Sequence, residues 1–433
     1  MFIAESAGII ADDLTGANDT ALQFFLKGCK TKILTANNEN LQEPDGTNVW
    51  AISTESRNIS PEQAYQKVYN TTKFLTETLK VENLYKKIDS TLKGNIGIEI
   101  NAVLDASDYE AAIIIPALPS EGRITIGGFH LLKGIPIERT DYARDPKNPI
   151  YESHIPTNLK NGLPEKDKNS VDLIDFNTVK QGAGPILVKL NDLVNKGKKL
   201  IVADSISTTD IEQIMLAVKK CNKRILACGT GIAAKSVCDV LFSELKYEKK
   251  NIEIPLLPKL VVSGSVTQLA AAQLKRLESD EDINNAYFIN VSPEQILDGK
   301  KDEITEKALK YLVKQNTVVI NSSELFKDSD SLTVLLFDKE ISRDKFISMI
   351  CDFLGEITKT IIEQREAVLI TIGGETSYKC MKALNIRSLN IIDTVAPAIP
   401  LCTDEKSRYI VTKSGNLGNI STLTEVIRYF EKM

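Results

Sequence analysis

Short β-branched runs alternate with longer amphipathic stretches through the first half of the chain. "AGIIA" (7–11), "TKILTA" (31–36), "NVWAIST" (48–54), "NLYKKID" (83–89) and "AAIIIPA" (111–117) read as strands. Between them, "ANDTALQFFLKG" and "PEQAYQKVYNTTKFLTETLK" repeat apolar residues every three to four positions, the spacing of helices. Such alternation predicts βαβ units around a mostly parallel sheet. From Thr125 to Asn148 the pattern loosens into Gly-rich sequence, which reads as a loop-like insertion near a site. The rhythm returns with "GPILVKLNDLVNKG", "KLIVADS", "TDIEQIMLAVKKC" and "RILACGT".

"SELKYEKKNIEIPLLP" then breaks it with charge and with prolines at 255 and 258, marking a domain boundary at 245–258. The second half repeats strand-and-turn sequence in "KLVVSGS", "NTVVINS", "EAVLITIGGETS", "LNIIDTV" and "RYIVTKSGNLGN", with a helix from Thr267. A chain of 433 residues suits two cores rather than one. The expected class is α/β: two domains, 1–250 and 251–433, each with a mostly parallel sheet, and a cleft between them.

Charge and rare residues narrow the chemistry. A net charge of −5 offers no general attraction to nucleic acid or to anionic membranes, so any anion site is local. Two histidines, His130 and His154, leave almost no room for histidine-based zinc sites or Ser-His-Asp triads. Seven cysteines form no C-x-x-C pair and have apolar neighbours, as reduced core thiols of a cytoplasmic protein do. The start "MFIAESAGIIADD" is too short and acidic for a signal peptide, and no apolar run reaches membrane-spanning length. Pairing of identical chains, through "IIIPAL" or an apolar helix face, stays open.

In open α/β sheets, ligands bind outside the carboxyl ends of strands. In the first half those ends are ionic: Asp12 and Asp13, "STESR" with Arg57, "KKIDSTLKGN" with Lys87, Asp89 and Lys93, and "PALPSEGR" with Arg123. The cations suit a carboxylate ligand, and the aspartates suit hydroxyl groups, one of them as proton acceptor. Asp12 and Asp13 point to opposite faces of their strand, so one faces the ligand and the other holds a loop or a helix start. Asn18 and Asp19 read as ordinary polar-face residues of the helix that follows. In the second half the ends are small and neutral: "VVSGS" (261–265), "TIGGETS" (371–377) and "TKSGNLGN" (412–419), turns whose amides can approach a phosphate. "GTGIAAKS" (229–236) only mimics a P-loop, because Ala234 replaces the second glycine.

These segments, in this order, resemble the four-carbon acid sugar kinase family. The matching pieces are "IIADDLTGANDTA", "KKIDSTLKGNIGIE", "PALPSEGRITIGGFHLLKGIPIERTDYARDP", "VVSGSVTQLAAAQ", "GGETSYKCMKAL" and "VTKSGNLG". The resemblance implies a sugar-acid-binding domain over 1–250 and a nucleotide-binding domain over 251–433. It implies ATP and Mg²⁺, and phosphorylation of a terminal hydroxyl on threonate, erythronate or a 3-oxo-tetronate. It places the nucleotide on Ser263 and Ser265, on Gly373, Gly374, Glu375 and Thr376, and on Gly415. Catalysis then falls to Asp12, Asp13 or Asp89, and substrate binding to Arg57, Lys87, Lys93 and Arg123; metal ligands are not assigned. Lys93 stands where the family usually has arginine, Leu118 where it has an aromatic, and Ala398 and Cys402 where it has glycines. The rival expectation is a nucleotide-responsive sugar-acid sensor without turnover.

Overall fold

The structure, a computed structural model, describes residues 6–35, 46–144, 149–248, 252–280, 283, 286–313, 316–326 and 329–431. The chain folds as two compact units, Met1–Glu248 and Lys249–Met433.

The first unit contributes strands β1 (Ala7–Ala11), β2 (Thr31–Leu34), β3 (Val49–Ser53), β4 (Asn83–Lys87), β5 (Ala111–Ile115), β6 (Arg123–Ile126), β7 (Phe129–Leu132), β8 (Ile135–Pro136), β9 (Val171–Ile174), β10 (Leu200–Ala203) and β11 (Ile225–Gly229). Its main sheet runs β2-β3-β1-β4-β11-β5-β10-β9, and its pairs are parallel. β1 sits between β3 and β4, the place where the chain stops building outward on one side and starts on the other. That switch point leaves a crevice at the carboxyl edge. One face of the sheet is sealed by a core that includes Ile10, Trp50, Ile52, Val68, Ile100 and Val103, from the strands and from helices Pro61–Lys73 and Ile96–Asp105. The helical pattern through 61–80 divides in the structure: after Lys73 one wider turn, Phe74–Thr78, closes through Leu79 N donating to Phe74 O at 3.0 Å.

The expected loop over 125–148 is instead largely ordered. β6, β7 and β8 form a separate antiparallel sheet, continued by short turns of helix at Ile137–Arg139 and Asp141–Arg144. Residues 145–148 lie outside the described residues. The signal was present: "RITI" and "FHLL" flank Gly127-Gly128, a two-residue hairpin turn. Strands of two to four residues are too short for alternation to register. Asp204, fully buried at the end of β10, accepts from the Gly127 and Gly128 amides at 2.7 and 2.9 Å and pins the hairpin in place.

The second unit has β12 (Lys259–Ser263), β13 (Ala286–Asn290), β14 (Thr317–Asn321), β15 (Val368–Ile372), β16 (Ser388–Ala396), β17 (Ile399–Thr403) and β18 (Tyr409–Lys413). Their order is β13-β14-β12-β15-β18-β17-β16, parallel except that β17 runs against both neighbours. The helix Gln268–Glu278 starts where expected, with Thr267 as its N-cap, its side chain accepting from Ala270 N. β9, β13 and β17 were not anticipated. The "IIIPAL" run is largely interior, with Ile113 to Ala117 buried and Leu118 half-buried, so it offers little surface to a second chain.

Ala398 occupies the tight turn between β16 and β17 at φ +61°. A Cβ in this left-handed region meets its own carbonyl, which explains why glycine suits the position. Cys402, by contrast, is an ordinary interior residue of β17. Ala398→Gly is expected to raise unfolding stability by about 0.5–1 kcal/mol, the strain relieved less the added chain entropy, as read by urea denaturation.

Candidate functional site

The paired aspartates at the end of β1 divide their work. Asp13 is the N-cap of the helix Leu14–Leu26: its carboxylate accepts from Gly16 N at 2.9 Å and from Thr15 Oγ1 at 2.8 Å. Asp12, only 3% exposed, turns to Arg57, taking Nε at 2.6 Å and Nη2 at 3.0 Å in a bidentate pair. Arg57 Nη2 also lies 3.0 Å from Asp13 and 3.5 Å from Asp89. One guanidinium thus joins the ends of β1, β3 and β4. Burial works against ionisation of Asp12, but Arg57, with help from Lys86 and Lys87, holds its carboxyl below the usual range. Behind it, Lys86 and Glu99 form a fully buried ion pair at 2.8 Å.

The loop after β4 carries Asp89. Its Oδ2 accepts from Thr91 N at 2.9 Å and from the Thr91 hydroxyl. Burial again opposes ionisation, and Arg57, Lys93 and Lys87 outweigh it, so Asp89 stays a carboxylate far below the ordinary range. Gly94, at φ +92°, lets this loop press on the knot: a Cβ there would stand 3.3 Å from both Asp12 Oδ2 and Arg57 Cγ. Asn95 ties the loop to the one after β3, donating to Ser56 O at 2.9 Å and Ile59 O at 3.0 Å. Lys87, buried, donates to Ile88 O at 3.0 Å and sits within the field of Asp12, Asp19 and Asp89. Lys93 Nζ lies over the Tyr142 ring, 5.2 Å from its centroid.

The small antiparallel sheet completes this edge. Arg123 donates from Nη1 to Ser90 Oγ (3.2 Å) and from Nη2 to Tyr142 Oη (3.3 Å), while its buried Nε has no acceptor among the described residues. His130 Nε2 donates to Ser90 O at 2.8 Å, which leaves Nδ1 as acceptor for Thr125 Oγ1 at 3.2 Å. Burial pushes the His130 pKa down to about 4, so the ring is neutral at pH 7. Used above only to exclude triads, His130 proves to be the brace under the Asp89–Lys93 loop. No local motif marks it, because its partners are 5 and 40 residues away.

Two further acids lie here. Asp19 is not an ordinary polar-face residue: it abuts Gly231 at the start of the helix Gly231–Leu241, where a Cβ would come 2.5 Å from its Oδ2. Burial raises its pKa to about 6, against Lys87. Asn18 beside it is buried as well. Glu55, in the left-handed region at φ +46°, accepts from Ser53 Oγ at 2.6 Å; burial, with Asp13 nearby, lifts it to about 7.

In the second unit the three glycine turns converge. A Cβ on Gly415 would fall 2.1 Å from Ser265 Oγ, and one on Gly264 would fall 2.3 Å from Thr376 Oγ1. Thr267 Oγ1 donates to Gly415 O at 3.0 Å, and Gln273 holds Leu417 O and Asn419 O at 3.1 and 2.7 Å. Gly373, Gly374, Glu375 and Thr376 form the cap and first turn of the helix Gly374–Ala383, which has no side-chain cap. Its first amides therefore point out of the helix toward whatever lies at the turn. Ser263 Oγ is buried without a partner among the described residues. Small side chains, outward amides and an unused hydroxyl fit a phosphate group. For a metal ion, no group of three His, Cys, Asp or Glu gathers among the described residues.

An ionic strand edge in one unit and an amide-lined strand edge in the other mark a two-domain α/β protein. Residues 7–236 match the sugar-binding N-terminal domain family, and residues 260–423 match the nucleotide-binding C-terminal domain family. The chain belongs to the four-carbon acid sugar kinase family. It is 31% identical to a D-threonate kinase of Salmonella typhimurium, over 98% of each chain. It is 29% identical to a D-erythronate kinase of Heliobacterium modesticaldum, over 97% of this chain and 96% of the relative. Its fold matches a solved protein of Salmonella typhimurium LT2 (TM-score 0.78, 20% identity, 97% of this chain and 98% of that one). A Haemophilus influenzae protein is similar too (TM-score 0.73, 20% identity, 98% and 99%). No helix among the described residues is long and apolar enough to cross a membrane.

The His130 brace makes a signed pH prediction. Its folded pKa of about 4 lies below the ordinary value of 6.5, so between these pH values the unfolded chain holds the extra proton. Stability is then lost as pH falls from 6.5 toward 4, by up to about 1.4 kcal/mol per pH unit. Glu55 and Asp19 act with the opposite sign, their raised pKa values eroding stability as pH rises toward 7 and 6. His130→Gln should remove the first slope and leave the second, in urea titrations at a series of pH values. Glu99→Ala, which strands the Lys86 ammonium, should cost about 3–5 kcal/mol in the same assay at pH 7.

Proposed function

We propose that the chain is an ATP-dependent kinase that phosphorylates the terminal hydroxyl of a four-carbon sugar acid of the threonate, erythronate or 3-oxo-tetronate class. The observation that carries this reading is the Arg57 knot with Asp89 at its rim, in a loop whose Ser90 and Lys93 meet Arg123 and Tyr142. Carboxylates for hydroxyls and cations for a carboxylate stand side by side there, in the domain whose family binds sugars.

The roles differ from residue to residue. Arg57, committed by Nε and Nη2 to aspartates, orders the site rather than gripping the substrate. Arg123 and Lys93 take the substrate carboxylate, and Lys87 sets the potential at the aspartates. Asp12 and Asp13 hold Arg57 and the helix start. Asp89, the least buried of the three side chains, orients the attacking hydroxyl and accepts its proton. A weakly basic carboxylate suffices, because the hydroxyl acidifies only as its bond to phosphorus forms. Phosphoryl transfer depends chiefly on positioning and on stabilising charge on the transferred oxygens.

At the other end, Ser263, Ser265, Gly373, Gly374, Thr376 and Gly415 hold the nucleotide. The Glu375 carboxylate would repel phosphate and suits ribose hydroxyls or hydrated Mg²⁺. Mg²⁺, when bound, supplies charge neutralisation across the phosphate oxygens, and it needs few protein ligands when the phosphates themselves bind it. The seven free cysteines support a cytoplasmic setting.

Mg-ATP mixed with a panel of four-carbon sugar acids should release ADP with at least one of them, with mass spectrometry finding a phosphorylated acid. ATP binding without release for any acid rejects the substrate class. Tight acid binding with no turnover makes the chain a sensor. Asp89→Asn should lower kcat by on the order of 10²-fold or more with KM little changed; Asp12→Asn should instead lower stability by freeing Arg57. Equal, mild kinetic effects at Asp12, Asp13 and Asp89 would remove the proton-acceptor role.

A further inference from the structure

Lys413 ends β18 and is 1% exposed, yet no carboxylate pairs with it among the described residues. Its Nζ donates to the Ser414 carbonyl at 2.8 Å, and burial alone pushes its pKa down to about 8, with no acid to counter the loss of water. An ammonium so placed is still mostly charged at pH 7. Buried charges cost stability unless paired, so a lysine kept here without a counter-ion calls for an anion that arrives from outside.

The sheet register shows where that anion would be. Asn321, Ser263, Ile372 and Lys413 are partners across β14, β12, β15 and β18, so their side chains share one face at the carboxyl edge. Ile372 belongs to the core beneath helices Gln268–Glu278 and Thr422–Tyr429, which fixes the face as theirs. The unpartnered Ser263 hydroxyl and the Lys413 ammonium therefore flank Ile372 in one row. Lys413 is also wired to two of the glycine turns: its carbonyl takes Gly373 N at 2.8 Å, and its ammonium holds the Ser414 carbonyl next to Gly415.

We propose that Lys413 is the fixed cation of the phosphate end, with Ser263 as its companion donor, and that the phosphate chain of a nucleoside triphosphate completes the pair. This rests on the nucleotide reading above and adds a residue that glycine turns alone do not reveal. The ammonium acts through a poorly screened interior, where a charge is felt more strongly than at a wet surface. Its function is bought at the expense of the fold, because a lysine desolvated for a ligand is a liability while the ligand is away.

The test is isothermal titration of the full chain and of Lys413→Met with Mg-ATP and with adenosine, alongside urea denaturation. Lys413→Met should weaken Mg-ATP binding by about 30-fold or more, the worth of a charge-assisted contact, and leave adenosine within about twofold. It should also unfold at the same or higher urea concentration than the parent. Ser263→Ala should weaken Mg-ATP by several-fold in the same direction. A variant that binds Mg-ATP as the parent does, loses adenosine equally, or is too unstable to fold makes Lys413 a structural residue and overturns the proposal. If the parent chain itself binds neither Mg-ATP nor adenosine, the nucleotide reading fails instead.

Discussion

Three carboxylates converge at the carboxyl edge of the first sheet, and Arg57 is what allows them to. β1 lies between β3 and β4, so the loops leaving these three strands are neighbours, and Asp12, Asp13 and Asp89 would repel one another without a shared counter-ion. The guanidinium has a planar fork that can serve several acceptors at once, which a lysine could not do with the same rigidity. With Arg57 in place the loops are held before any ligand binds, and Gly94 and Asn95 close the second loop onto the first. Ordering of this kind spares a binding reaction the cost of arranging its own site.

The two domains place different chemistry on the same sheet geometry. The strand ends of the first domain carry ionised side chains whose charge is set by their neighbours, a set suited to hydroxyls and a carboxylate. Those of the second domain carry outward amides, hydroxyls and close-approaching glycines, a set suited to the many equivalent oxygens of a phosphate chain. Both depart from the most stable arrangement at the edge. Glu55 sits at positive φ with an unfavourable burial, and Lys413 has been taken out of water without a carboxylate among the described residues. Local strain and unpaired burial gather where ligands are handled.

Much of the candidate site was legible because its residues stand in short runs after strands. "DDLTG", "DSTLKGN", "SGS", "GGETS" and "KSGN" each join a turn to chemistry within a few residues. What escaped was long-range or short-stranded. The β6–β8 sheet read as a loop because its strands are too brief for periodicity, although Gly127-Gly128 marked the hairpin. His130 reaches Ser90 across 40 residues, and Asp19 meets Gly231 across two helices, so neither could be read locally. The antiparallel β17 broke an otherwise parallel rule, and nothing in "IPLCT" states its direction.

By itself the sequence determined the alternation of strand and helix, the division into an ionic and a neutral half, and the residue types at nearly every strand end. These follow from local patterning, since burial on a sheet and the geometry of a turn constrain residues one to four positions apart. Tertiary structure alone decided which charges face each other. Arg57 turned inward to three aspartates, His130 became a neutral brace, and Lys413 was buried in one row with Ser263 and Ile372. The reason is that an electrostatic interaction depends on distance and burial, which neighbours in space set and neighbours in sequence do not.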